Sequence, residues 1–143
     1  MIRDGTVFDD THLPNEIVGR NSQMNEVTDA LAPIQDGLQA ENCFLFGPSG
    51  SGKTTVAKAS VRELRREVLE IPHGYVNCWT DYTRGAVLER AVKDLVGTAV
   101  PRRASTRRLV DTLRTGLSSP SVLILDEVDQ LRDTGVLYDL HSV

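Results

Sequence analysis

Residues 47–54 read Gly-Pro-Ser-Gly-Ser-Gly-Lys-Thr, which satisfies G-x-x-x-x-G-K-[ST]. No other stretch limits the fold as strongly. Glycine-rich backbone curls so that successive N–H groups face one anionic centre. A helix N-terminus directly behind the loop adds its partial positive charge. Both flanks are present in pattern: the apolar run Cys43-Phe44-Leu45-Phe46 predicts a strand before the loop, and a helical pattern opens at Thr54. A Gly/Ser-rich loop matching by chance would lack this strand–loop–helix context. The expected nucleotide-binding residues are Gly47, Pro48, Ser49, Gly50, Ser51, Gly52, Lys53, Thr54 and Thr55. Lys53 can reach the β/γ-phosphates, and the Thr54 hydroxyl can ligate Mg²⁺. ATP or ADP with Mg²⁺ is therefore the expected cofactor set.

A chain of 143 residues fits one domain with a real core. The longest apolar run falls far short of a membrane span, and the N-terminus Met1-Ile2-Arg3-Asp4-Gly5 lacks the apolar stretch of a secretory leader. A cytoplasmic protein with no membrane partner is expected. Cys43 and Cys78 lie in segments that read as strands, so buried structural thiols are expected rather than a disulfide or metal pair. The net charge of -4 argues against a strongly basic DNA-coating protein but permits a local basic patch. Arginine outnumbers lysine 13 to 3, which fits a GC-rich genome or life in high salt equally well.

Along the chain, residues 1–20 read as an arm. A helix is expected from Asn21, capped by Asn21 or Ser22, with Met24, Val27, Leu31, Ile34 and Leu38 at spacings of three and four. Pro33 should interrupt it. A first strand is expected over 42–46 and a helix over 53–69. Further strands are expected over 75–79 and 122–125, the latter apolar throughout as if buried on both faces. Helices are expected over 83–96, over 106–117, and from about Thr134. Strands alternating with helices predict an α/β fold with a parallel sheet.

The strand Val122-Leu123-Ile124-Leu125 ends in Asp126-Glu127, a Walker B pattern. Asp126 is the expected Mg²⁺ carboxylate, acting through water. Glu127 is the expected group that orients or deprotonates the attacking water, which makes Glu127 and Lys53 the catalytic candidates. Asp129 could serve the site or simply cap or face solvent. A glutamate directly after the aspartate marks NTPases that hydrolyse with water. The Asn-Lys-x-Asp pattern of GTPases is absent, and the stretch from Leu113 to Pro120 does not supply a transporter-type Leu-Ser-Gly-Gly-Gln signature.

The run Leu13-Pro14-Asn15-Glu16-Ile17-Val18-Gly19-Arg20, followed by a helix, then GPSGSGKTT, then Tyr75-Val76-Asn77-Cys78 and Leu125 to Leu131 (LDEVDQL), resembles archaeal origin-recognition/cell-division-control-type AAA+ replication initiators. The resemblance covers nearly the whole chain in matching order. It implies an AAA+ P-loop fold and an arm that wraps the adenine and ribose, making Leu13, Pro14, Ile17, Val18 and Arg20 pocket candidates. Ordinary packing of the arm on the core is the alternative. It also implies an insertion that touches origin DNA, and Arg102, Arg103, Arg107 and Arg108 fall where that insertion should be. Such arginines could release counterions from phosphates or form a solvated face. The sequence departs from the family here: Arg102-Arg103-Ala104-Ser105 stands where a glycine-bearing turn is expected.

The resemblance further implies a sheet of order 5-1-4-3-2, of which this chain supplies strands 1, 2 and 3. A faithful copy would leave a gap of one strand, roughly 5 Å wide. A partial AAA+ domain over 21–143 is expected, truncated after the Walker B strand and the following helix, without lid or winged helix. The expected function is the ATP-binding, ATP-hydrolysing portion of a replication initiator that recognises double-stranded origin DNA, with other AAA+ subunits or a replicative helicase as partners. The alternatives are a non-catalytic nucleotide-binding fragment, an AAA+ ATPase that remodels protein complexes, and a P-loop kinase.

Overall fold

The computed structural model describes residues 21–143, so the arm and its candidates Leu13, Pro14, Ile17, Val18 and Arg20 lie outside the described residues. The described residues divide into two compact units, the first ending at Ile71 and the second spanning Pro72–Val143.

In the first unit, helix α1 (Asn21–Leu31) passes into a 3-10 turn, Ala32–Asp36. Pro33 sits in the first turn of that segment, where its missing N–H costs least. Gly37 ends it in a left-handed conformation, so the helix expected to reach Leu38 stops short and Leu38 is exposed. The expected cap residues are instead helical: α1 already includes Asn21 and Ser22. Helix α2 (Lys53–Glu67) buries Val56, Ala59, Val61 and Leu64 and packs on α1, in which Val27 and Leu31 are buried. Its opposite face is charged, with Arg66 paired to Glu63 at 2.7 Å.

Residues 42–46 do not form the expected strand. A strand exists by virtue of its ladder, and among the described residues the sheet has two strands, neither of them this segment. Phe44 and Phe46 stack on each other with centroids 6.1 Å apart, yet Phe46 is 89% exposed. Cys43 is exposed as well, which corrects the expectation of a buried thiol.

The second unit is a parallel two-stranded sheet with helices. Strand β1 (His73–Asn77) leads through helix α3 (Arg84–Ala91), a π turn (Val92–Val96) and helix α4 (Thr106–Gly116) to strand β2 (Val122–Asp126). The register pairs His73 with Val122 and Asn77 with Asp126. β1 ends two residues before the expected Trp79, because Asn77 turns the chain: its Oδ1 accepts the Trp79 N–H and its carbonyl accepts those of Thr80 and Asp81. Thr83 and Ser105 cap α3 and α4 through their hydroxyls. The core joins Val76, Cys78, Leu88, Leu109, Leu113 and Val136. Residues 122–125 are only half-buried, against the expectation of a strand covered on both faces. After β2 come a 3-10 turn (Val128–Gln130) and helix α5 (Gly135–His141). Arg84 ties α3 to α5 with a two-pronged bond to Asp139. No helix among the described residues is long and apolar enough to cross a membrane.

Candidate functional site

In the first unit the loop 47–52 runs straight into α2. Gly50 and Gly52 take left-handed φ values of 76° and 85°, which let the backbone reverse without a Cβ clash. At Gly47 a Cβ would stand 3.0 Å from Ser51 Oγ, so a side chain there would have to push that hydroxyl aside. Gly52 is the N-cap of α2 and offers no side-chain acceptor to the first helical turn, the arrangement in which a helix end favours an anion. Lys53 curls back over the loop: its Nζ donates to the Gly47 carbonyl at 2.5 Å and the Pro48 carbonyl at 2.9 Å. Among the described residues no carboxylate pairs with this ammonium, so its charge is held by neutral acceptors. Thr54 is buried at 3% exposure and Thr55 is half-buried, while Pro48, Ser49 and Gly50 face solvent.

In the second unit Asp126 closes β2 and Glu127 follows with φ 55° and ψ 44°. A non-glycine residue in the left-handed region carries strain of order 1 kcal/mol, and such residues gather at functional sites. Both carboxylates are buried, at 9% and 7% exposure. The Asp126 carboxylate takes a donor on each oxygen: the Glu127 N–H reaches Oδ1 at 3.0 Å and the Tyr75 O–H reaches Oδ2 at 2.8 Å. Burial, and then that bond to Asp126, push the Tyr75 phenol well above its ordinary value, so it stays a donor. The Cys78 amide donates to the Asp126 carbonyl at 2.9 Å, and burial followed by the Asp126 charge pushes the Cys78 thiol up to about 12. Asp129 is exposed and accepts from the Gln130 amide at 3.0 Å.

Sequence reading places Tyr75 in a strand and in the run that carries the family resemblance, and gives it no role in the site. Its proximity to Asp126 follows from the register, in which Tyr75 faces Ile124. The period of two puts Tyr75 and Asn77 on one face, but which acid they meet is a matter of pairing.

The four candidate DNA arginines are all exposed. Arg102 and Arg103 lie on a turn closed by the Ala104 N–H to the Pro101 carbonyl at 3.2 Å. Arg103 has φ 59°, so it occupies the left-handed position a glycine would take. The turn thus forms without the glycine. Arg107 and Arg108 start α4, where the Arg108 N–H is taken by Ser105 Oγ. Among the described residues none of the four joins an ion pair. A shallow open cavity of about 530 Å³ is lined by Arg84, Arg107, Arg114, Asp111 and Asp139 among others, and by neither Asp126 nor Glu127.

The AAA ATPase domain family matches residues 16–138. The ORC1-type DNA replication protein 9 of Halobacterium salinarum is 41% identical over 145 residues, covering 100% of this chain and 41% of that protein. The ORC1-type DNA replication protein 2 of Methanosarcina mazei is 34% identical, covering 98% of this chain and 40% of that protein. The Aeropyrum pernix ORC1 protein solved in complex with DNA superposes with a TM-score of 0.78 at 28% identity, covering 98% of this chain and 39% of that one. Cdc6p from Pyrobaculum aerophilum shares the fold, with a TM-score of 0.74 at 20% identity, covering 90% of this chain and 35% of that one. The chain spans about two fifths of the length of these replication proteins.

Proposed function

Because the chain belongs to the AAA ATPase domain family, we propose that it is the ATP-binding and ATP-hydrolysing part of a DNA replication initiator. The observation that carries this reading is the loop itself: a glycine-capped helix start with the Lys53 ammonium held above it by neutral acceptors, the Gly47 and Pro48 carbonyls and, at 3.5 Å, the Ser51 hydroxyl. Phosphate oxygens are charge-assisted acceptors and would draw Lys53 Nζ from those neutral partners. The loop amides bind the phosphates, and Glu127 takes a proton from water as its oxygen bonds to the γ-phosphorus. The bond from that phosphorus to the bridging oxygen then breaks, releasing ADP and phosphate.

The residues fit Mg²⁺. The Thr54 hydroxyl and the Asp126 carboxylate are hard oxygen donors, the type this ion takes in small number alongside phosphates. Among the described residues no cluster of three His, Cys, Asp or Glu side chains offers a protein cage instead. When bound, the ion supplies charge neutralisation at the phosphate oxygens.

The DNA-facing part of the proposal rests on four exposed arginines within seven residues, 102–108, none of which joins an ion pair among the described residues. It is supported by the likeness to a protein solved in complex with DNA. Double-stranded origin DNA, further AAA+ subunits and a replicative helicase are the proposed partners, in the cytoplasm.

Titration calorimetry with ATP and Mg²⁺ tests the core of this reading. Lys53→Ala should weaken binding by roughly 10- to 100-fold, the worth of one charged hydrogen bond. Glu127→Gln should keep ATP binding and lose phosphate release. ATP binding without any phosphate release by the wild type would favour a non-catalytic nucleotide-binding module.

A further inference from the structure

Each oxygen of the Asp126 carboxylate meets a different donor, the Glu127 N–H on Oδ1 and the Tyr75 O–H on Oδ2. Rotation about the last torsion of an aspartate is broad and roughly two-fold. One donor on each oxygen therefore fixes the carboxylate plane, which the backbone alone does not. Tyr75 is itself held. Its N–H meets Asp94 Oδ2 at 3.3 Å, and the same oxygen accepts from Arg90 Nε at 3.1 Å. The ladder bonds run through the Pro72 carbonyl and the Cys78 amide. In a parallel ladder this alternation turns the Tyr75 N–H to the far edge of β1, where Asp94 covers it. The register sets Tyr75 opposite Ile124, so its side chain reaches diagonally along one sheet face to Asp126.

We propose that Tyr75 is a positioning residue for Mg²⁺: through its O–H···Oδ2 bond it orients the Asp126 carboxylate and thereby sets Mg²⁺ affinity. The proposal rests on the reading of Asp126 as the Mg²⁺ carboxylate. A phenol that merely fills space beside the sheet would be replaced by phenylalanine without consequence for the ion. A partner that orients a ligating group is different, since its loss costs about 10- to 100-fold in metal affinity.

The test uses the full chain and a fluorescent ribose-labelled ATP. Its dissociation constant is measured in EDTA and then across a Mg²⁺ titration, for the wild type, Tyr75→Phe, Asp126→Asn and the double variant, with a urea-unfolding midpoint for each. Tyr75→Phe should raise the half-saturating Mg²⁺ concentration by about 10-fold or more and leave the EDTA value at that of the wild type. In the Asp126→Asn background the same change should add nothing, because the two side chains act as one unit. An unchanged Mg²⁺ midpoint in Tyr75→Phe overturns the role of Tyr75, as does a loss of unfolding midpoint in both backgrounds with Mg²⁺ response intact. A wild type that binds the labelled ATP equally with and without Mg²⁺ overturns the assignment of Asp126 itself, and the role of Tyr75 with it.

Discussion

A Cβ placed on Gly74 would lie 2.8 Å from the Cβ of Asp94 and 3.2 Å from its Oδ2. The π turn Val92–Val96 is pressed this closely against β1, and the closeness lets Asp94 cover the Tyr75 N–H on the side of the strand turned away from β2. An edge amide covered by a carboxylate is one way a short sheet avoids pairing with other chains. Gly74→Ala should therefore cost about 1–3 kcal/mol, the usual penalty for overpacking a closed contact. The measurement is the urea-unfolding midpoint at constant slope. A variant as stable as the wild type would show that Asp94 gives way freely.

Arg103 holds a left-handed φ of 59° on an exposed turn. Glycine reaches that conformation without Cβ strain, so Arg103→Gly should unfold later by about 1 kcal/mol relative to Arg103→Ala, which keeps the strain. The same pair separates shape from charge. If Arg103 neutralises a DNA phosphate, both variants should reduce the slope of log affinity against log salt by about 1. Equal slopes in all three proteins would exclude the phosphate contact.

The two thiols should react very differently. Cys43 is exposed, whereas Cys78 is buried beneath the sheet end with its thiol pushed up to about 12. The thiolate is the nucleophile, so mild alkylation of the folded protein at neutral pH should modify Cys43 and spare Cys78 until urea is added. Mass spectrometry of the labelled peptides reads this directly. Early modification of Cys78 would mean that the core around Val76 and Leu88 opens readily.

Cys78 also makes stability depend on alkaline pH. Its folded value is raised above the ordinary thiol value of 9.0 to about 12. Below 9 both states hold the proton and the contribution is fully present. As pH rises from 9 toward 12 the unfolded chain releases its proton first, and stability is lost. Tyr75, also raised, acts in the same direction from its ordinary value of 10.0 upward. Unfolding midpoints should fall across this window, and less steeply in Cys78→Ala. A flat profile would place the thiol in water.

Much of this molecule was legible one segment at a time. The helix α4 stands at Thr106–Gly116, where a helix was expected over 106–117. The glycines of 47–52, the lysine behind them and the acids closing β2 were legible because each belongs to a local pattern of a few residues. Residues 42–46 misled because Cys-Phe-Leu-Phe has strand chemistry, while a strand also needs a neighbour to bond with. The left-handed turns at Arg103 and Glu127 were hidden because neither residue type signals that backbone.

What the sequence determined by itself was local: where the chain curls, where helices start, and which carboxylates end a strand. These follow from glycine's freedom, capping hydroxyls and periodicity, which act within a few residues. What only the tertiary structure decided was pairing. Tyr75 meets Asp126, and Asp94 meets Gly74, because β1 and β2 settle into one register and the π turn closes on them. Register depends on distant segments burying the same face together, and no local pattern encodes that choice.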